Sequence, residues 1–455
     1  MINQQDTIIA PSTPPGVSAI AVIRLSGIDA IQIMNGVFRG KDLTKAKTHT
    51  LHFGVIADGS RVIDEVVVAL FKSPRSFTLE DSIEISTHGS PYVVREVINL
   101  LVRQGARLAG PGEFTRRAFL NGRFDLAQAE AVADLIHSDS EAAHQAAISQ
   151  MRGGFSKDIG ELREKLLHFA SLIELELDFS EEDVEFANRQ GLSDLINQLL
   201  AVINPLIDSF ARGNAIKNGV PVVIVGKPNA GKSTLLNALL NEEKAIVSEI
   251  AGTTRDVIED QINIEGVIFR FIDTAGLRET TDAIEAQGVA RAHEQMSKAA
   301  LIIYLFDLAE ETPESIKNSL SALKKHQIPL LPIGNKKDKA APDITAVLEG
   351  EEGYLLISAK QKEHLDQLRH KLLESVHLDQ LHSGDPIITN ARHYETLTKA
   401  REALAAVDTG LESGLTEDLL AEDIRRAINY LGEITGEITN DEVLGSIFSK
   451  FCIGK

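Results

Sequence analysis

The octapeptide GKPNAGKS, Gly226 to Ser233, constrains the fold of this chain more than any other feature, because it follows the apolar run Val222 to Val225 and precedes the helical run Thr234 to Leu240. A G-x-x-x-x-G-K-S loop in that setting joins a strand to a helix. Its glycines let the main chain wrap an anion, and the helix N-terminus behind it favours negative charge. Lys232 is then placed to reach the β- and γ-phosphates of a nucleoside triphosphate, and Ser233 to ligate Mg²⁺. Beyond the loop, apolar runs at Phe269 to Asp273, Leu301 to Asp307, Leu330 to Asn335 and Tyr354 to Ser358 alternate with helical stretches, and a helix at Lys362 to Val376 closes the pattern. This is the signature of an α/β domain with a mostly parallel sheet.

The remainder reads differently. At 455 residues the chain exceeds one domain of roughly 150 residues, so several cores are expected. Strands at Ala19 to Leu25, Val62 to Phe71 and Ser82 to Ser86, with turns at Ser73-Pro74 and His88-Gly89 and a helix at Tyr92 to Arg103, predict a small α+β domain over residues 1–120. Helical spacing at Asp125 to Met151, Ile159 to Leu177 and Leu192 to Phe210, with Pro205 as a kink or break, resumes at Ile388 to Leu411 and Thr416 to Leu431. The expected plan is therefore multidomain: an N-terminal α+β domain, a discontinuous all-α domain (121–216 and 381–455), and an inserted α/β P-loop domain (217–380).

Composition narrows the function. Hydrophobic residues at 43% and charged residues at 25% exclude wholesale disorder and a fibrous class. Met1 to Asp6 offers no basic n-region, and the best apolar run, Ala299 to Phe306, falls far short of the ~20 residues that span a bilayer, so neither secretion nor a membrane span is expected. The single cysteine, Cys452, excludes an intramolecular disulfide framework and suits a cytoplasmic location. A formal net charge of −20 argues against a chain-wide nucleic-acid surface. Local basic candidates are Arg116-Arg117 with Arg123, and Arg425-Arg426, each more readily read as solvated surface charge.

The base of the nucleotide is legible too. Asn335-Lys336-Lys337-Asp338 ends a strand and resembles the N-K-x-D element of GTPases; the Asp338 carboxylate accepts from guanine N1–H and the exocyclic amine, which adenine cannot match. Ser358-Ala359-Lys360 resembles the S-A-K loop that backs the base, so the nucleotide is expected to be GTP. Asp273-Thr274-Ala275-Gly276 fits a Mg²⁺-holding Walker-B element, followed by Leu277, which cannot orient water; Glu279, Asp282 and Glu285 are the carboxylates near enough in sequence to do so. In the polar segment Ser248 to Asp256, Thr254 is the candidate to complete the Mg²⁺ shell. Asn229, inside the phosphate loop, suits a monovalent cation. Nucleotide contacts are thus expected from Asn229, Ala230, Gly231, Lys232, Ser233, Thr234, Ser248, Thr253, Thr254, Asp273 to Gly276, Asn335, Lys336, Asp338 and Ser358 to Lys360.

From Asp6 to Lys455 the chain resembles the MnmE (TrmE) family of bacterial tRNA modification GTPases, within the TrmE-Era-EngA-like group. The likeness is carried by TPPGVSAIAVIRLSG (Thr13 to Gly27), SFTLEDSIEISTHGS (Ser76 to Ser90), PGEFTRRAFLNGRFDLAQAEAVADLI (Pro111 to Ile136), AGTTRD (Ala251 to Asp256), DTAGLRETTDAIEAQGVARA (Asp273 to Ala292) and FCIGK (Phe451 to Lys455). The resemblance implies a homodimer whose N-terminal domain dimerises and binds a 5-formyl- or methylene-tetrahydrofolate. It further implies an FAD-containing partner, MnmG, and an aminomethyl-type modification at C5 of wobble uridine in tRNA that requires GTP hydrolysis. Family G domains pair across the nucleotide with K⁺ bound; the matching K⁺ positions are Asn229, Ser248, Ile250 and Thr253, and the catalytic carboxylate maps to Glu285. Folate contacts map to Arg24, Glu84, Arg123 and Lys455, with Arg123 standing where some relatives have lysine. Cys452 matches the family's C-[IL]-G-K signature as a possible functional thiol; a lone cysteine otherwise serves as an inert small hydrophobe. The competing expectation is a GTP-controlled switch or assembly factor without one-carbon chemistry, which would have no need of the N-terminal region and FCIGK.

Overall fold

The computed structural model describes residues 6–178, 189–243, 260–272, 299–326, 328–349, 351, 353–375, 387–413 and 415–455. The chain divides into two compact units: Met1–His137, Ala147–Ile203 and Glu395–Lys455 form the first, Ser138–Ala146 and Asn204–Tyr394 the second.

In the first unit, β1 (Ile8–Pro11), β2 (Ser18–Ser26), α1 (Ala30–Val37), β3 (Phe38–Arg39), β4 (Thr50–Asp58), β5 (Arg61–Phe71), β6 (Ser82–Gly89), α2 (Pro91–Arg103), β7 (Arg107–Leu108) and α3 (Glu113–Leu120) follow in order. The strands make a seven-stranded sheet, β3-β4-β5-β6-β2-β1-β7. Every pairing is antiparallel except β1 with β7. Alternate residues of β5 and β6, among them Val66, Val68, Leu70, Ile83 and Ile85, turn inward against Ile33 and Met34 of α1 and Val97, Leu100 and Leu101 of α2. The other face carries the rows Phe53–Val67–Ser86–Val22 and Leu51–Ala69–Glu84–Arg24. β6 runs on through His88-Gly89, which were expected to turn; Asp64 accepts the His88 N–H at 2.8 Å and holds the strand in register.

Helices follow: α4 (Leu126–His137), α5 (Glu141–Met151), α6 (Ser156–Asp178) and α7 (Arg189–Asn218). The single helix expected over 125–151 is two, because Ser140 starts a new one by accepting Ala143 N–H at 3.2 Å. Pro205 does not break α7, which stays helical on both sides of it. Leu192, Leu195, Ile196, Leu199 and Ile203 bury one stripe of that helix, and Leu206 and Ile207 continue it into the second unit.

The second unit contains β8 (Val220–Val225), α8 (Lys232–Glu243), β9 (Asp260–Ile264), β10 (Val267–Phe271), β11 (Leu301–Asp307), α9 (Pro313–Leu323), β12 (Leu330–Asn335), α10 (Pro342–Glu349), β13 (Leu355–Leu356) and α11 (Leu365–Ser375). Its six-stranded sheet runs β13-β12-β11-β8-β10-β9, parallel throughout but for the β9–β10 hairpin. All of β11, LIIYLFD, is buried, as a central strand covered on both faces must be. The chain then returns to the first unit through α12 (Ala391–Ser413), α13 (Glu417–Thr435) and α14 (Asp441–Phe448). There Arg163 of α6 donates to Ile428 O of α13 at 3.1 Å and pairs with Glu437. Among the described residues no helix is long and apolar enough to cross a membrane.

Candidate functional site

The carboxyl ends of β8, β11, β12 and β13 gather on one edge of the second unit's sheet, the edge where parallel α/β sheets bind ligands. β8 stops at Val225 and α8 starts at Lys232, so GKPNAGKS is the turn between them. Gly231 has φ +99°, and a Cβ there would stand 2.2 Å from Asn335 Nδ2. That amide donates to Ala230 O at 2.8 Å, while Asn335 Oδ1 accepts Ala359 N–H at 3.0 Å. One buried asparagine at the end of β12 therefore ties the phosphate loop to the Ser358–Ala359–Lys360 loop. Losing it would orphan polar groups on both.

Lys232 Nζ donates to Gly226 O at 2.5 Å, and burial pushes its pKa below the ordinary lysine value. An ammonium group held out of water is stabilised by a nearby anion, which suits a phosphate ligand. Ser233 and Thr234 are exposed on the first turn of α8, and Asn229 is exposed beside them at φ +64°. The Ser233 hydroxyl is a hard oxygen donor of the kind Mg²⁺ takes.

On the base side, Lys336 also has φ +64° and leads into a short 3₁₀ turn, Lys337–Lys339. Asp338 Oδ1 accepts from Ser358 Oγ at 2.7 Å, and Ser358 Oγ in turn accepts Gln361 N–H at 3.2 Å. The buried serine thus aims an exposed carboxylate; Lys360 is exposed next to it. The expected residues Ser248, Ile250, Thr253, Thr254, Asp273, Thr274, Ala275, Gly276 and Glu285 lie outside the described residues, as do Leu277, Glu279 and Asp282.

The first unit gathers a second cluster. Arg24 and Glu84 are direct cross-strand partners, with Arg24 Nη2 2.8 Å and Nε 3.1 Å from Glu84 Oε1. The C-terminal tail lies against them. Gly112 N–H donates to Cys452 O at 3.4 Å, Ile453 bridges to Pro111, and Gly454 O accepts from Arg24 Nη1 and from Ser12 Oγ, both at 3.4 Å. Lys455 is half-buried there; burial foremost, and then the Arg24 charge, push its pKa down, while Glu84 and Cys452 act in the opposite sense. Arg123 joins through an aromatic ring: the guanidinium carbons of Arg24 and Arg123 lie 5.3 Å and 5.4 Å from the Phe77 centroid. Phe77 was not singled out by sequence; its signal was only an aromatic residue within the Ser76 to Ser90 segment. Cys452 is exposed.

The basic patches differ in burial: Arg425 and Arg426 stay exposed as paired surface charges, whereas Arg117 is withdrawn from the surface. Arg117 is buried and pairs with Asp6, Glu80 and Glu113, so it does not face a phosphate backbone. Arg116 pairs with Asp441, Arg425 with Glu174, and Arg426 with Asp423.

Two family models match this chain: "GTP-binding protein TrmE N-terminus" over residues 7–123 and "MnmE helical domain" over residues 126–452. The chain is 58% identical to the tRNA modification GTPase MnmE of Cytophaga hutchinsonii, over 100% of this chain and 98% of that one. It is 55% identical to the same enzyme of Flavobacterium psychrophilum, over 99% of each. Among solved structures, the G domain of the T. maritima FeoB iron transporter aligns with 34% of this chain and 98% of that one, at 25% identity and a TM-score of 0.26.

Proposed function

This chain belongs to the MnmE family of tRNA modification GTPases, and from that premise we propose that it hydrolyses GTP and, with the FAD-containing partner MnmG, installs a carboxymethylaminomethyl or aminomethyl group at C5 of wobble uridine in tRNA. The observation that carries the reading is the junction at Asn335, which joins a phosphate loop to a guanine-reading loop through one buried side chain. Asp338, aimed by Ser358, accepts the two donors of the guanine edge; adenine offers it no such pair. Lys232 meets the charge of the β- and γ-phosphates. Ser233, with Thr254, would hold Mg²⁺, which neutralises phosphate charge when bound. Asn229, Ser248, Ile250 and Thr253 are the proposed K⁺ positions, and Glu285 the carboxylate that orients the attacking water in place of the incapable Leu277.

The proposed division is an N-terminal domain over 1–120, a helical domain over 121–216 and 381–455, and a G domain over 217–380. The cluster of Arg24, Glu84, Arg123 and Lys455, with Phe77 beside its two arginines, offers charges of both signs to a ligand with carboxylates and a pterin edge, which supports tetrahydrofolate binding. Leu51 and Phe53, 72% and 70% exposed on the same sheet face, support pairing of two chains there as a homodimer. A cytoplasmic location accords with these substrates. The deciding experiment is nucleoside analysis of tRNA from cells lacking the protein: the account predicts loss of the C5-modified wobble uridine, and an unchanged profile would leave only a GTP-controlled switch or assembly factor.

A further inference from the structure

We propose that the turn after β11 braces the nucleotide site through two buried carboxylates, Asp307 holding the guanine-side lysine Lys336 and Glu311 holding the phosphate-side lysine Lys227. The proposal rests on the GTP reading above. Neither acidic residue belongs to the phosphate-loop or guanine motif, and their sequence context, LFDLAEET, reads as an ordinary strand-to-helix turn.

Asp307 ends β11 with its side chain 5% exposed; Oδ2 lies 2.5 Å from Lys336 Nζ, and Oδ1 accepts Ala309 N–H at 2.8 Å. Glu311, 3% exposed, places Oε2 3.0 Å from Lys227 Nζ and 3.5 Å from the Tyr304 hydroxyl. The two acids are joined directly. Glu311 Oε1 accepts Asp307 N–H at 3.4 Å, and Glu311 N–H donates to Asp307 O at 3.0 Å. Leu308 N–H reaches Asn335 O at 3.0 Å, so the turn also grips the strand end that carries the guanine loop.

Carboxylates this buried are costly without a cation, so each lysine is drawn to a fixed place. The hydrogen bond that Lys227 donates to Glu311, followed by the Glu311 charge, raises the Lys227 pKa. Lys336 is a non-glycine residue at φ +64°, a conformation that needs outside support, and its ammonium is anchored at Asp307. Anchoring the ammonium fixes the course of its apolar stem, the part of the side chain against which a flat base can lie. Lys227 is the second residue of GKPNAGKS; it also donates to Ser315 Oγ at 3.2 Å, which pins the loop's entrance to α9. One turn thereby sets the spacing between the two halves of the ligand.

The test uses the full chain with Asp307→Asn and Glu311→Gln, near-isosteric changes that remove charge. Calorimetric titration with GMP, GDP and GTP is paired with steady-state GTP turnover. Asp307→Asn is expected to weaken all three ligands by the same factor, about tenfold, because they share the base; Glu311→Gln is expected to weaken GTP and GDP by about tenfold and GMP by far less. Turnover at saturating GTP stays within about twofold in both, so KM moves and kcat does not. In a Lys336→Met background, Asp307→Asn should cost nothing further. Asp307→Glu, which keeps the ion pair, serves if Asp307→Asn does not fold, and should restore binding. Wild-type affinities in both variants, or a loss equal for all ligands and undiminished by Lys336→Met, would overturn the brace. Failure of the wild-type chain to bind any of the three would instead overturn the GTP reading beneath it.

Discussion

Burying a charge dictates where its counter-charge must sit, and several arginines and acids here obey that rule rather than the look of their sequence neighbourhood. Arg117 reads as half of a basic dipeptide, yet it closes a network in which Arg107 Nη2 and Nη1 lie 2.6 Å and 3.1 Å from the oxygens of Glu113, and Gly110 N–H reaches Glu113 Oε2 at 2.8 Å. Burial alone would raise the Glu113 pKa; the Arg107 hydrogen bond, the Gly110 N–H and the charges of Arg107 and Arg117 outweigh it and bring it below the ordinary 4.5. A carboxylate depressed in the folded state stabilises the fold fully above its unfolded pKa and loses that contribution as pH falls through the folded value. Glu113→Gln should therefore cost about 3 kcal/mol at neutral pH and flatten the acid limb of stability below the ordinary 4.5. Melting temperature measured from neutral to acid pH checks this; parallel curves for the two proteins would refute it. Motif residues can be named from sequence because their chemistry fixes their spacing, whereas Phe77 was hidden, because a ring lying near two guanidinium groups leaves no trace in sequence order.

Elements with strong periodicity were readable, and the failures have local causes. Leu301–Asp307 and Leu330–Asn335 match their expected spans residue for residue, since buried parallel strands are continuous apolar runs. β4 escaped because its pattern is inverted: Leu51 and Phe53 point outward while His52 and Gly54 are buried. The α4–α5 break hides in an Ala-rich stretch where a single serine decides the boundary. The tail, Phe451 to Lys455, is too short for any periodic signal, yet its geometry is demanding. Gly454 has φ +94°, and a Cβ there would stand 2.1 Å from Pro11 O. Gly454→Ala should displace Lys455 from Arg24 and Glu84, lowering affinity for a reduced folate by about tenfold or more while leaving GTP turnover unaltered. Folate titration beside a GTPase assay checks both; undiminished folate binding would remove the tail from that site.

At the scale of the whole molecule, a chain that leaves one unit, builds a mostly parallel sheet and returns is readable because the α/β pattern starts and stops between helical stretches. The division between the two compact units falls at Ile203 and Asn204, inside α7, and a continuous helix carries no linker signal. The nucleotide assignment depends on the second unit alone, where Asn335 joins the two loops and Ser358 aims Asp338. Calorimetric titration of the full chain with GTP, ATP and XTP, repeated after Asp338→Asn, tests it most directly. The account predicts GTP bound at least ~100-fold more tightly than ATP, and a shift of preference toward XTP in the variant, whose amide donates to the xanthine C2 carbonyl. Equal affinity for ATP and GTP, or a ratio of GTP to XTP that ignores the substitution, would contradict it.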